Sequence, residues 1–160
     1  MWKITRQFQV FVLICSGIAG SLPALAESIP ALATPSHFSS TIGSALLCQD
    51  QIDSFFFTDY MNTYFGKPIK VEGGAYWWKV SSNLYGAKLD SIFVSKEDTS
   101  SVFIGAIFVD LPADLRQKIQ DTTGVTYKAT TNPEQWSSPS FSVMLKYNSI
   151  ETPSKLFCLK

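Results

Sequence analysis

Histidine is almost missing from this 160-residue chain, the single one being His37. A Ser-His-Asp or Cys-His hydrolase needs an imidazole held within hydrogen-bond reach of its nucleophile. His37 lies in a stretch containing Pro30, Pro35 and several serines that predicts a flexible leader, so triad chemistry is not expected. Cysteine is scarce as well, limited to Cys15, Cys48 and Cys158, and a zinc site built from so few ligands is not expected either. No Walker loop, dinucleotide fingerprint, EF-hand loop or Gly-x-Ser-x-Gly elbow occurs, and no cofactor is expected. Charge is sparse and balanced, with 13 basic and 13 acidic residues making up 16% of the chain. Counterion release on nucleic acid needs clustered Lys and Arg, so that class of partner is excluded. Beyond the first 26 residues no run approaches the roughly 20 apolar residues of a spanning helix, and no stable membrane insertion is expected.

Hydrophobic residues, by contrast, make up 46% of the chain and aromatics 14%, enough for one ordinary domain with its own core. The first 26 residues stand apart. Lys3 and Arg6 give a basic start, Phe8 to Ala19 is apolar apart from Gln9, Ser16 and Gly17, and Ala24-Leu25-Ala26 ends in small residues. This pattern predicts a secretory signal peptide over residues 1–26, a mature chain starting at Glu27, and a periplasmic location. Cys15 does not read as a lipidation site, because Ile14 stands where a small residue is required. Removal of Lys3 and Arg6 leaves acidic residues in slight excess.

After cleavage two cysteines remain, Cys48 and Cys158, which in an oxidising compartment predict one disulfide. It would close nearly the whole domain into one loop and restrict the unfolded chain by about 4–5 kcal/mol. Two free buried thiols are the alternative.

Residues 27–44 show no sustained period and are expected to be a flexible leader; residues 45–160 form the domain. From Gln49 to Phe65, Ile52, Phe55, Phe56, Tyr60 and Tyr64 recur at three- and four-residue steps, predicting a long amphipathic helix closed by Gly66 and Pro68. The period then drops to two. Ile69–Val71 and Ala75–Val80 flank Gly73-Gly74 as a hairpin, Leu89–Val94 follows, and Val102–Val109, apolar at both parities, reads as a central strand covered on each side. Asp110-Leu111-Pro112 starts a short helix, with Asp110 placed to cap it, Leu111, Leu115 and Ile119 on one side and Gly124 after the last turn. Val125–Ala129, Phe141–Tyr147 and Lys155–Leu159 complete the strands, with an irregular loop over Thr130–Ser140. The expectation is an α+β domain with a largely antiparallel sheet, a long N-terminal helix and a short mid-chain helix.

Carboxylate pairs at Asp50 with Asp53 and Asp110 with Asp114 could in principle serve glycosidic cleavage, but all sit at helix-start positions, where acids favour the helix dipole. The aromatic residues say more. Alternation in Ala75–Val80 puts Tyr76, Trp78 and Val80 on one face and Ala75, Trp77 and Lys79 on the other, so one tryptophan looks away from the core. Trp77 is expected to be that one. Trp136 stands in the polar stretch from Asn132 to Ser138 without another large apolar residue. Presented tryptophans are typical of protein-binding hot spots, and the candidate surface is Trp77 and Trp136 with Tyr76 and Lys79. The alternative is that Trp136 folds back onto the core edge and a helix covers Trp77.

Val102-Phe103-Ile104-Gly105-Ala106-Ile107-Phe108, Asp110-Leu111-Pro112 with its helix, and Thr123-Gly124-Val125-Thr126-Tyr127 occur together with the signal peptide, Cys48 and Leu156-Phe157-Cys158. This combination resembles small periplasmic immunity proteins that neutralise toxins injected by rival bacteria. The resemblance covers about the last two thirds of the chain, its motifs are not specific, and it carries over no functional residue. It implies a non-catalytic protein that binds and blocks a protein partner, such as an envelope-targeting toxin. A carboxylate enzyme acting on envelope glycan and an accessory component of an envelope assembly are the competing classes.

Overall fold

Pairs of residues with positive φ set the first half of the sheet. Gly73 and Gly74, at φ 60° and 72°, turn β1 (Lys70–Glu72) into β2 (Ala75–Leu84). Such two-residue turns match the right-handed twist of the strands they join. Tyr85 and Gly86, at φ 57° and 75°, repeat the device between β2 and β3 (Ala87–Ser95). Strand β2 therefore runs past Val80, where the sequence pattern places its end. A register shift between Lys79 and Ser82 marks a bulge that breaks the strict alternation beyond Val80. Strand β4 (Phe103–Phe108) follows.

In this computed structural model, which describes residues 34–160, the chain then crosses over through α3 (Pro112–Thr123). Pro112 occupies the first turn and Gly124, at φ 74°, ends the helix, but Asp110 does not cap it. The N-cap is Leu111, without a side-chain bond. The Asp110 carboxylate instead accepts from the Lys88 backbone N–H and pairs with Lys118, tying the β2–β3 hairpin to α3. The second half runs β5 (Lys128–Ala129), β6 (Gln135–Ser137), β7 (Val143–Lys146) and β8 (Ser154–Leu159). Strand β6 lies in the stretch expected to be an irregular loop. All neighbours are antiparallel in the order β1-β2-β3-β4-β8-β7-β6-β5, so the C-terminal strand enters the middle of the sheet beside β4. The α+β class and the antiparallel sheet are as expected.

The helices need two further corrections. The expected leader is folded over its described part: a π-helical turn, Ser39–Gly43, runs into α1 (Ser44–Leu46), and Phe38, Ile42, Ala45 and Leu46 are buried. His37 is likewise not loose, standing edge-on to Tyr60 and Tyr64. Helix α2 (Ser54–Phe65) is twelve residues long and begins five later than expected, because the Asp53 carboxylate accepts the Phe56 N–H at 2.9 Å and fixes the start. The expected long N-terminal helix is thus a three-turn one. Its core stripe is Phe57, Tyr60 and Met61, while Phe55 and Phe56 are exposed. The expected signal peptide (1–26) and residues 27–33 lie outside the described residues.

Cys48 and Cys158 form the predicted disulfide, with Cα atoms 5.3 Å apart and 110 residues of separation. Because Cys48 follows α1, the bridge ties α1 to β8, and α2 is not directly fastened. The last carbonyls of α1 are met from far along the chain: Ser142 Oγ donates to Leu46 O at 2.6 Å and Ser140 Oγ to Leu47 O at 2.8 Å. Buried Trp78, Ile92, Ala106, Leu156 and Met144 form the sheet side of the main core, against Phe38, Leu46, Phe57, Met61, Leu115 and Ile119 from the helical segments.

Candidate functional site

Period-two alternation gives the sheet a second face, and its register can be read strand by strand. Trp77, Phe93, Gly105, Phe157 and Val143 lie in one row across five strands. Lys79, Ser91, Ile107, Lys155 and Leu145 form the row beside it. These positions gather into a small apolar cluster of Ala75, Phe93 and Ile107 with Trp77, Phe103 and Phe157 around them. No helical residue of the described chain belongs to this cluster. Among the described residues, one face of the sheet is therefore covered by helices, and the other is surfaced by its own aromatic side chains.

Gly105 makes this possible. A Cβ there would overlap the Phe93 ring, so its absence lets the ring lie across β4. Trp77 stacks on Phe93 from the other side, with ring centres 4.5 Å apart and planes 28° from parallel. The Trp77 indole N–H donates to the Glu72 carbonyl at 3.1 Å, and the Lys70 ammonium sits 4.6 Å from its ring centre. Trp77 is thus half-buried and held in place.

Phe93, Phe103, Leu145, Lys155, Phe157 and Leu159 line a cavity of about 200 Å³ on this face. Lys155 is its charged member. Its Nζ lies 4.6 Å from the Phe93 ring centre and 5.8 Å from that of Phe157. Removal from water pulls the Lys155 ammonium below its ordinary pKa. The described ion pairs engage Lys70, Lys79, Lys96, Lys118 and Lys146, and Lys155 has no carboxylate partner among the described residues.

The four binding residues expected from the sequence divide between the two faces. Trp77 and Lys79 lie on the open face, Lys79 exposed and paired with Asp90. Tyr76 points to the helix-covered face, packed near Trp78. Trp136 sits on β6 opposite Met144, half-buried against the main core, with the Arg116 guanidinium 4.7 Å from its ring centre. Trp136 and Trp77 thus do not share a surface, and Trp136 has folded back onto the core edge. Phe93, Phe103, Lys155 and Phe157 were not singled out from the sequence. Their signal was the apolar character of Val102–Val109 and Leu156–Leu159 at both parities, which demands cover on two faces. On the open face the strands' own aromatic rings supply it.

Of the carboxylates weighed for glycan cleavage, one of each pair has a structural role: Asp53 caps α2 and Asp110 is held by Lys88 and Lys118. Burial alone would raise the Asp110 carboxyl, but the bonds from Lys118 and the Lys88 N–H outweigh it and hold the pKa below the usual value. Among the described residues no three His, Cys, Asp or Glu side chains gather closely enough to hold a metal ion, and no helix is long and apolar enough to cross a membrane. No protein-family model matches the chain, and no similar curated protein or solved structure was found.

Proposed function

We propose that this is an exported, non-catalytic protein that binds and blocks a protein partner in the bacterial periplasm, an immunity protein acting against an envelope-targeting toxin. The open aromatic sheet face carries this reading. It combines ordered aromatic side chains and an apolar cavity with a cation in it, the composition in which binding energy concentrates at interfaces. The disulfide and the hairpin turns support it by holding that face rigid, so that little ordering entropy is lost on association. The basic start, apolar run and Ala24-Leu25-Ala26 support export.

The test begins with the tagged protein recovered from periplasm, its N-terminus expected near Glu27. An envelope hydrolase or lipase co-purifying with it should lose activity on stoichiometric addition of the pure protein. Turnover of peptidoglycan by the pure protein, or its recovery only within a large envelope assembly, would overturn the reading in favour of an enzyme or an accessory component.

A further inference from the structure

Lys155 is unlike the other lysines that line or flank the open face. An ammonium carries three donors, yet Lys155 Nζ meets no acceptor and no carboxylate among the described residues, whereas Lys79 and Lys70 have Asp90 and Glu72. Its immediate surroundings are the rings of Phe93, Phe157 and Tyr147, and its neighbours in the cross-sheet row are Ile107 and Leu145. Ring faces stabilise a cation but do not replace its hydrogen bonds. No acidic residue lines the cavity. The site therefore offers positive charge in an apolar setting, and a carboxylate entering it would form a charge-assisted hydrogen bond shielded from water.

Size bears on which carboxylate enters. Sites for drug-sized ligands run from roughly 300 to 1,000 Å³, and this cavity is about 200 Å³. One amino-acid side chain fills such a space, and Phe103, Phe157 and Leu159, half-buried or exposed at its rim, offer a surface on which a neighbouring residue can pack. We propose that the Lys155 cavity takes a Glu or Asp side chain of the partner protein, carried beside a large apolar residue that packs on Phe103, Phe157 and Leu159. This rests on the reading of the open face as the binding surface and adds the chemistry of its anchor.

The peptide N-acetyl-Phe-Glu-Phe-amide serves as probe, with N-acetyl-Phe-Gln-Phe-amide as its neutral twin and decanoate as a lipid-like carboxylate. Ring signals of Phe93, Phe103 and Phe157 and the amine signal of Lys155 are followed by NMR on the disulfide-bonded protein. The Glu peptide should shift them saturably, raise the Lys155 pKa, and bind at least about tenfold more tightly than the Gln peptide. Lys155→Met, which keeps an apolar stem, should abolish that preference while leaving the fold intact by near-ultraviolet circular dichroism. Equal binding of the two peptides, or no saturable shift at concentrations on the order of 10 mM, would overturn the proposal. So would saturation by decanoate well below the peptide concentration, which would mark a small-molecule pocket. The broader reading fails separately. If the Glu peptide behaves as expected and no enzyme is inhibited, the blocking role falls and the anchor stands. If a captured enzyme is inhibited equally by wild type and Lys155→Met, the anchor falls and the blocking role stands.

Discussion

The two faces of the sheet are built from the same strands and the same kinds of residue, but they are finished differently. On one, Trp78, Ile92, Ala106, Leu156 and Met144 are sealed by three helical segments and a disulfide. On the other, Trp77, Phe93, Phe103 and Phe157 lean on one another around an uncompensated lysine. The covered face gains stability from every buried side chain and has none left to offer a partner. The open face surrenders part of that gain, since Trp77, Phe103 and Phe157 stay half-buried there beside a lysine without a counter-ion among the described residues. A difference of this kind, within one sheet, separates the packed face from the proposed binding face more clearly than the identity of any single residue.

The largest effect should come from the bridge on the covered face. Cys48→Ser or Cys158→Ser opens the same 110-residue loop, so each should cost about 4–5 kcal/mol in the loop-entropy account. The double variant should cost little more than one, as read by denaturant unfolding; additive losses would show that the cysteines stabilise the fold independently. Next comes the tryptophan pair. Trp78, 1% exposed and bonded to Gly66 O, should cost about 3–5 kcal/mol on replacement by Ala. Trp77→Ala, which loses a stacked ring pair and only partial burial, should cost about 1–2 kcal/mol. Equal losses in thermal melts would erase the distinction between the faces.

Gly105→Ala probes the open face from beneath. The new methyl must displace the Phe93 ring, an overpacking expected to cost about 1–3 kcal/mol and to quench the Trp77–Phe93 stacking signal in near-ultraviolet circular dichroism. An unchanged spectrum would show that the ring has room elsewhere.

Asp110 sharpens the comparison through pH. Its folded pKa lies below the ordinary carboxylate value, so its contribution is complete above the unfolded value and is lost as pH falls through the folded one. Asp110→Asn should therefore flatten the acid limb of the stability curve; a limb of unchanged steepness would refute the link between the β2–β3 hairpin and α3.

Lys155→Met should show the smallest change and the opposite sign. Because burial lowers the folded pKa of this lysine, the charged form is disfavoured at neutral pH and the penalty is relieved as pH rises from the folded to the unfolded value. The variant is expected to match or slightly exceed the wild type in melting temperature at pH 7. A clear loss there would mean that Lys155 is structural.

Much of the fold was legible because its signals are local. The Gly73-Gly74 turn, the Pro112 start and Gly124 end of α3, and the alternation that set Trp78 inward need only neighbours within a few residues. Tyr85-Gly86 escaped because a tyrosine at positive φ is an uncommon turn residue, accepted here while its hydroxyl donates to Gly43 O at 2.6 Å. The helical segment around Ile42 escaped although Phe38, Ile42, Ala45 and Leu46 carry helical spacing, because its carbonyls are met by Ser140 and Ser142. Asp53 shortened α2 by outcompeting the earlier start, and the helix turns Phe57, Tyr60 and Met61 rather than Phe55 and Phe56 to the core.

What the sequence determined by itself was the α+β class, the antiparallel pairing of neighbours, the cysteine pair and the face assignment of Trp77 and Trp78, all consequences of spacing along the chain. Only the tertiary structure decided that β8 enters between β4 and β7, that Trp136 packs against the core while Trp77 does not, and that Lys155 stands among Phe93, Phe157 and Leu145. The physical reason is that alternation says which residues share a face of one strand, whereas the order of strands across the sheet says which faces meet. That order is set by burial summed over the whole molecule.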